Sequence, residues 1–284
     1  MTGIVVVNKP EGWTSFDVVA KLRRILGERR IGHGGTLDPM ATGVLPVFVG
    51  RATRAVEFME AADKEYEALC RFGIVTDTQD TTGTILEMHT ADRREEEIQA
   101  ALADFLGESM QLPPLYSAIK IDGKKLYEYA RRGKDVERQP RRILIRSVEP
   151  LGFCGSDYRF RIVCSKGTYI RTICHDLGQK LGCGAAMSGL IRRRAGVFRL
   201  ENAVTLAELE ERGADCLLSV DSLFSDHPAL TVSAAEEKRI RCGNDIRRPT
   251  EAGTYRLYSE TAEFLVYAEA DGNRIHVIKS FFEV

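Results

Sequence analysis

Asp38 lies in the part of the chain whose residue types are best suited to chemistry, residues 32–43. Small, apolar or hydroxylic residues surround its carboxylate in sequence, with glycines on both sides and Pro39 directly after it. Glycine allows the backbone to lie close to a ligand, so this carboxylate could serve as a nucleophile in a loop that contacts a substrate. An aspartate before a proline is also common in ordinary turns. From this segment alone, a turn is the safer interpretation.

The composition indicates a soluble globular protein. The 284 residues are 44% hydrophobic, which is enough for a buried core in one large or two smaller domains. No apolar run approaches the roughly 18 residues of a membrane span. The apolar run at residues 4–7 lacks the length and the cleavage site of a signal peptide. We therefore expect a cytoplasmic protein with no membrane partner.

The cysteine and histidine residues do not predict a metal site or a disulfide framework. The seven cysteines are odd in number and include no Cys-x-x-Cys pair, and the five histidines show no metal-ligand spacing. We expect no metal, and we expect most cysteines to be small core residues of a protein in a reducing compartment.

Basic residues form clusters, although the formal net charge is only -1. Residues 131–146 contain seven basic and two acidic side chains, a local charge of +5, and residues 192–194 are three consecutive arginines. Gathered on one face, such clusters bind phosphates. Each cluster taken alone is more typical of solvated surface charge. The charge pattern therefore leaves both a nucleic-acid partner and a plain charged surface open.

The predicted elements are mixed, and strands outnumber helices. Thr14 and Asp17 have the spacing of a capping box at the start of a helix that ends at Gly27. Strands are predicted at residues 4–7, 64–75, 117–121, 142–153, 158–165, 264–268 and 275–278, and further helices at 91–106, 168–181 and 205–213. Strands and helices do not alternate regularly, which predicts an α+β fold. A looser region around residues 225–228 predicts a boundary between a domain of residues 1–225 and a small β-rich domain of residues 229–284.

Several short blocks follow one another in an order typical of one enzyme family. They are Asn8-Lys9-Pro10-Glu11-Gly12-Trp13-Thr14-Ser15, the segment 32–46, Asp63-Lys64-Glu65-Tyr66, Thr76-Asp77-Thr78-Gln79-Asp80, the segment 113–120, the segment 130–133 and the segment 165–172. In these blocks the chain resembles the TruB-type tRNA pseudouridine synthases, from about residue 4 to residue 200. A single block would be weak support for the resemblance, but this many blocks in the family's order are specific to that family.

The resemblance implies roles for individual residues. Asp38, within Gly-Thr-Leu-Asp-Pro, falls on the family's catalytic aspartate, and Arg171 is expected to pair with its carboxylate and keep it charged. The substrate-binding residues are expected to be His33, Tyr66, Tyr169 and Leu190. The RNA backbone is expected to contact Arg131, Arg132, Arg141, Arg142, Arg192 and Arg193.

The family's fold would be a mixed, largely antiparallel sheet flanked by helices and loops, followed in many members by a PUA domain. Residues 229–284 leave room only for a short PUA-like module, whose RNA contacts the resemblance does not supply. Two small departures are Gly34, where the family pattern has threonine, and Met40, where it has leucine.

The activity implied by the resemblance is the isomerisation of one uridine in the T-loop of tRNA to pseudouridine. No group leaves and nothing is oxidised, so no cofactor is expected. The target nucleotide must be flipped out of its loop to reach a pocket. The expected partner is the T-arm stem-loop of tRNA, bound by a monomer. The alternative is a non-catalytic RNA-binding or tRNA-folding protein on the same scaffold, which explains the basic clusters but not the carboxylate in a glycine-rich loop.

Overall fold

Strands and helices follow one another without regular alternation, as expected for an α+β fold. The computed structural model describes residues 1–121, 123–130, 132–134 and 136–282. The strands are β1 (Gly3–Lys9), β2 (Ile31–His33), β3 (Thr42–Val49), β4 (Lys64–Phe72), β5 (Ile74–Thr76), β6 (Ile85–Met88), β7 (Gly107–Gln111), β8 (Lys120–Ile121), β9 (Lys124–Lys125), β10 (Arg141–Cys154), β11 (Asp157–Cys164), β12 (Ala185–Ala195), β13 (Phe198–Arg199), β14 (Ala229–Thr231), β15 (Ile246–Tyr258) and β16 (Phe264–Ser280). The α-helices are α1 (Ser15–Leu26), α2 (Val56–Ala61), α3 (Glu95–Ala103), α4 (Leu126–Ala130), α5 (Ile170–Lys180), α6 (Leu206–Arg212) and α7 (Ala234–Arg241).

The described chain divides into two compact units. The first consists of Met1–Ala61 together with the chain from Arg194 onward, and the second of Ala62–Arg193. None of the helices in the described ranges has the length and apolar character that a bilayer crossing requires.

Helix α1 of the first unit has the predicted capping box. The Thr14 hydroxyl accepts a hydrogen bond from the Asp17 amide at 3.1 Å, and the Asp17 carboxylate accepts one from the Thr14 amide at 2.9 Å. Hydrogen bonds from Thr14 lower the pKa of Asp17. Gly27 ends the helix at a φ of 63°, a left-handed conformation that glycine adopts without strain.

The sheet of the first unit positions the glycine-rich loop. β1 and β2 both pair antiparallel with β3, so that Val5 and His33 each lie opposite Val47. β1 and β3 are buried along almost their whole length, which explains their continuous apolar sequences. The loop that contains Asp38 connects β2 to β3 and therefore has both ends fixed in one sheet.

The C-terminal part of the first unit is rich in strands, as predicted. β14 pairs parallel with β15, and β15 pairs antiparallel with β16 around a core that includes Val232, Ile240 and Leu257. The two strands predicted at 264–268 and 275–278 are a single strand, β16, because β15 pairs with it from Phe264 to Ile275. The separate PUA-like domain of residues 229–284 stays a prediction.

The second unit contains strands in the order β12-β4-β11-β10-β7. β4, β11, β10 and β7 form antiparallel pairs, and the predicted strands at 142–153 and 158–165 are confirmed as the hairpin of β10 and β11. Helix α5 packs against this sheet. Its Gly178 allows contact without a side chain, because a Cβ there would lie 2.0 Å from the backbone nitrogen of Ala185.

The ends of several predicted elements differ in the structure. The strand predicted at 117–121 is reduced to β8, because the chain bends at residues 115–117, where the Ser117 amide donates a hydrogen bond to the Leu115 carbonyl. The helix predicted at 91–106 is only α3. The α-helical hydrogen-bond pattern ends after Ala103, because the amides of Phe105 and Leu106 each donate to a carbonyl only three residues earlier. The helix predicted at 168–181 is confirmed as α5, with both ends trimmed.

Candidate active site

The backbone of the loop around Asp38 is held by α1. The Ser15 hydroxyl accepts a hydrogen bond from the Leu37 amide at 2.8 Å and donates one to the Leu37 carbonyl at 3.2 Å. The Ala41 amide donates to the Asp38 carbonyl at 3.0 Å, which closes a turn directly after the aspartate. The Asp38 side chain is half-buried. The segment is therefore a turn, and the turn presents a carboxylate on a fixed backbone.

Lys9 holds the other side of the same loop. Its side chain is 0% exposed, and its ammonium donates hydrogen bonds to the carbonyls of Pro10 at 2.8 Å, Trp13 at 2.6 Å and Pro39 at 3.2 Å. A buried ammonium needs such acceptors because burial removes its hydration. Lys9 stands in one of the family's sequence blocks, but no role was predicted for it. A lysine at the end of an apolar strand, directly before a proline, is the signal that could have found it.

His33 and Gly34 complete the loop at its β2 end. His33 is half-buried on β2. Gly34 replaces the threonine of the family pattern, and a Cβ at this position would lie 2.3 Å from Cγ of Met59 and 2.9 Å from a ring carbon of Phe48. In this chain the space beside Gly34 is therefore filled by Met59.

The remaining predicted site residues lie in the second unit. Tyr169 is the half-buried N-cap residue of α5, and Arg171 is in the first turn of that helix. Tyr66 is buried on β4, where it lies opposite Ile162 of β11. Leu190 is buried on β12, the strand next to β4. The structure thus brings Tyr169 and Arg171 onto one helical turn and places Tyr66 and Leu190 on neighbouring strands.

Arg171 is buried in a polar environment that the sequence did not predict. Its side chain is 5% exposed, and it donates hydrogen bonds to the carbonyl of Thr78 at 3.0 Å and that of Tyr116 at 2.9 Å. Its Nη1 lies 3.8 Å from Oδ2 of Asp80. The predicted pairing of Arg171 with Asp38 stays a prediction.

Asp80 is an acidic neighbour of Arg171 that was not predicted. Its Oδ1 accepts hydrogen bonds from the hydroxyl of Thr78 at 2.8 Å and from the amide of Thr82 at 3.0 Å. The other oxygen lies towards Arg171, so this buried charge has both hydrogen-bond donors and a cation. The available signal was the density of hydroxyl and carboxyl groups at 76–82, which is typical of a polar loop with internal hydrogen bonds.

The predicted RNA contacts differ in their exposure. Arg132 and Arg141 are exposed, Arg142 is exposed and forms an ion pair with Glu108, and Arg193 is half-buried. Arg192 is only 1% exposed, unlike these arginines, and its contact with the RNA backbone stays a prediction. Arg131 lies outside the described residues.

The fold and the family models that match the sequence place the chain among the pseudouridine synthases. It belongs to the TruB family: the model of the TruB family pseudouridylate synthase N-terminal domain matches residues 23–170, and that of the tRNA pseudouridylate synthase B C-terminal domain matches residues 171–224. The chain is therefore an enzyme, an isomerase of uridine. The resemblance to this family is confirmed.

Relatives and solved structures agree with this assignment. The chain is 44% identical to tRNA pseudouridine synthase B of Geobacillus thermodenitrificans, over 88% of this chain and 87% of the relative. It is 42% identical to the enzyme of the same name in Clostridium novyi, over 93% and 94%. Among solved structures, a chain of a Cbf5-Nop10-Gar1 complex is similar with a TM-score of 0.75 and 28% identity, covering 99% of this chain and 85% of the other. A chain of an H/ACA RNP bound to a substrate RNA that contains 2′-deoxyuridine matches with the same TM-score at 26% identity, covering 99% and 85%.

Proposed function

We propose that this enzyme isomerises a uridine in the T-loop of tRNA and that Asp38 is its catalytic carboxylate. The observation that carries the proposal is the anchoring of the Asp38 loop, whose backbone is bonded to Ser15 on one side and to Lys9 on the other. Such anchoring fixes a reactive group in advance of the reaction. The names of the curated relatives support tRNA as the substrate.

The proposed reaction conserves every atom of the nucleotide. The C1′–N1 glycosidic bond breaks, the detached uracil turns, and a C1′–C5 bond forms. C5 loses one proton and N1 gains one, so that no cofactor is required. Asp38 acts at C1′ or at C6, or it assists formation of a glycal, and each of these routes needs its ionised carboxylate near the flipped nucleoside.

The other predicted site residues would hold the detached uracil and shield it from water. Tyr66 offers an aromatic face and a hydroxyl for proton transfer. Leu190 would exclude water, and Tyr169 would pack beneath the base. Arg171 would supply the cation that pairs with the Asp38 carboxylate.

The proposed recognition depends on loop shape. A uridine in a folded T-loop is inaccessible, and flipping it costs about a few kcal/mol of lost stacking. Phosphate contacts from Arg132, Arg141 and Arg142 would offset this. We expect a monomeric enzyme that acts where tRNA is found, in the cytoplasm.

Replacement of Asp38 tests the proposal. We expect Asp38→Asn to bind tRNA as the wild type does but to form no pseudouridine, because the amide has nearly the same shape and no charge. The measurement is pseudouridine mapping on an unmodified tRNA transcript and on an isolated T-arm hairpin, with binding followed separately. Asp92→Asn, the same change at an exposed site, is the control.

Each part of the proposal can fail separately. Substantial turnover by Asp38→Asn would exclude the carboxylate as the reacting group. Product on the full tRNA but none on the hairpin would show that the T-arm is not sufficient. Binding without product by the wild-type protein on both RNAs would favour the non-catalytic alternative, which the family assignment does not favour.

A further inference from the structure

The first turn of α5 is held from two sides by glutamine side chains. Gln111, at the end of β7, accepts a hydrogen bond from the Tyr169 amide at 2.8 Å and donates one to the Tyr169 carbonyl at 3.1 Å. Gln79 accepts a hydrogen bond from the Thr172 hydroxyl at 2.8 Å. Gln111 and Thr172 are both buried, so water does not compete for these hydrogen bonds.

Gln79 adopts a backbone conformation that L-residues seldom have. Its φ is 64°, and among the described residues only Ala262 is a second non-glycine residue with a positive φ. Such a conformation persists where its surroundings determine it. Here the Gln79 carbonyl accepts a hydrogen bond from the Met187 amide at 3.0 Å, and its amide donates to the Thr76 carbonyl at 3.3 Å. The left-handed turn directs the side-chain amide of Gln79 to Thr172.

The two glutamines bracket Arg171. Gln111 is hydrogen-bonded to Tyr169, which lies two positions before the arginine. Gln79 is hydrogen-bonded to Thr172, which directly follows the arginine. Gln79 also stands between Thr78 and Asp80, two of the residues whose oxygens face the Arg171 guanidinium. The hydrogen bond from Thr172 to Gln79 therefore fixes the helix that carries the cation to the loop that carries its acceptors.

We propose that Gln79 and Gln111 are positioning residues for the isomerisation. They hold the first turn of α5 so that the Arg171 guanidinium and the Tyr169 ring have the orientation the reaction requires, and neither glutamine touches the substrate. This inference rests on the proposed function, because it takes Arg171 and Tyr169 as members of the active site.

Two variants of Thr172 test the Gln79 contact. Thr172→Val replaces the hydroxyl by a methyl group of similar size, and we expect kcat on the T-arm hairpin to fall by about twofold to tenfold, the effect of one buried hydrogen bond. We expect KM to remain unchanged, because the contact does not involve the RNA. Thr172→Ser keeps the hydroxyl and should restore kcat to within about twofold of the wild type. Thr90→Val makes the same change at an exposed position and serves as the control.

Variants of the glutamines test the same contacts from the other side. Gln79→Gly accepts the left-handed φ without strain but lacks the amide, so its kcat should fall as far as that of Thr172→Val. The double variant should be no slower than either single variant, because both remove one shared hydrogen bond. Gln111→Glu keeps the length and the acceptor but places a carboxylate against the Tyr169 carbonyl, and it should also lower kcat without changing KM.

The outcomes separate this inference from the proposed function. A wild-type kcat for both Thr172→Val and Gln79→Gly, a decrease that Thr172→Ser does not restore, or additive decreases in the double variant would overturn the positioning role. If Thr172→Val fails to fold by circular dichroism, Gln79→Gly and Gln111→Glu decide the matter. Inactive wild-type enzyme or active Asp38→Asn in the same assay would instead overturn the proposed function.

Discussion

Lys9 shows how a single buried charge can hold a loop in place. Its ammonium joins the carbonyls of Pro10 and Trp13, which precede α1, to that of Pro39, which follows Asp38. Each of these carbonyls is a strong acceptor that must be satisfied when it is buried. The lysine therefore links two segments that are about thirty residues apart in the chain and sets the position of the turn at Asp38.

We expect Lys9→Met to destabilise the protein by about 2–4 kcal/mol, because methionine matches the length of lysine but lacks the buried ammonium that joins three carbonyls. The measurement is the free energy of unfolding in urea. Lys21→Met is the matched control, since Lys21 forms a surface ion pair with Glu210 and should contribute less than about 1 kcal/mol. Equal destabilisation in the two variants would show that the hydrogen bonds of Lys9 do not hold the loop.

The individual site residues were predictable to different degrees. Asp38 and Arg171 stand in sequence blocks that can be recognised without coordinates. Asp80 stands in such a block too, but its role depends on a contact with Arg171, 91 positions further along the chain. No local sequence pattern shows which side chain will contact a distant loop. The contact between Asp80 and Arg171 could therefore not be predicted without the fold.

At the scale of secondary-structure elements, the most important feature is how closely α5 packs against the start of β12. Gly178 faces the backbone at the start of β12, where a Cβ would lie 2.0 Å from the nitrogen of Ala185 and 2.3 Å from the carbonyl carbon of Gly184. Backbone atoms in a sheet cannot withdraw as a flexible side chain can. Any side chain at position 178 therefore has to push the helix away from the strand.

We expect Gly178→Ala to destabilise the protein by about 1–3 kcal/mol through overpacking, in spite of the better helix propensity of alanine. The measurement is thermal unfolding, followed by circular dichroism. Gly32→Ala is the matched control, because a Cβ there would meet only a methyl group of Val56 at 3.9 Å. An unchanged or higher melting temperature for Gly178→Ala would show that the helix shifts without cost.

Capping and turn residues in the sequence correctly predicted the elements that begin or end at them. The capping box at Thr14 and the glycine at position 27 fixed both ends of α1, and the Gly155-Ser156 turn marked the hairpin of β10 and β11. β3 was not predicted, and it contains Pro46, a residue type that is uncommon in central strands. β16 was divided in the prediction because Asp271, Gly272 and Asn273 resemble a turn, whereas pairing with β15 keeps the strand continuous.

At the scale of the whole molecule, the formal net charge of -1 gives no attraction to RNA, so binding must depend on where the charges lie. The arginines at positions 132, 141 and 142 are exposed, whereas Arg192 is buried. The sequence could not distinguish these cases, because a run of arginines looks the same whether it faces solvent or the core. Among the predicted RNA contacts in the described ranges, the fully exposed ones lie at the start of β10 and in the segment before it.

Charge reversal at this segment provides the corresponding test. We expect Arg141→Glu/Arg142→Glu to weaken binding to a T-arm hairpin and to reduce the slope of log K against log salt by about 0.7–0.9 for each phosphate that the variant no longer neutralises. Filter binding at several salt concentrations gives this slope. Arg94→Glu/Lys180→Glu is the control, because it produces the same change in net charge at two exposed positions outside the predicted surface. If both double variants change the slope equally, the effect belongs to total charge; if neither does, this segment does not bind phosphate.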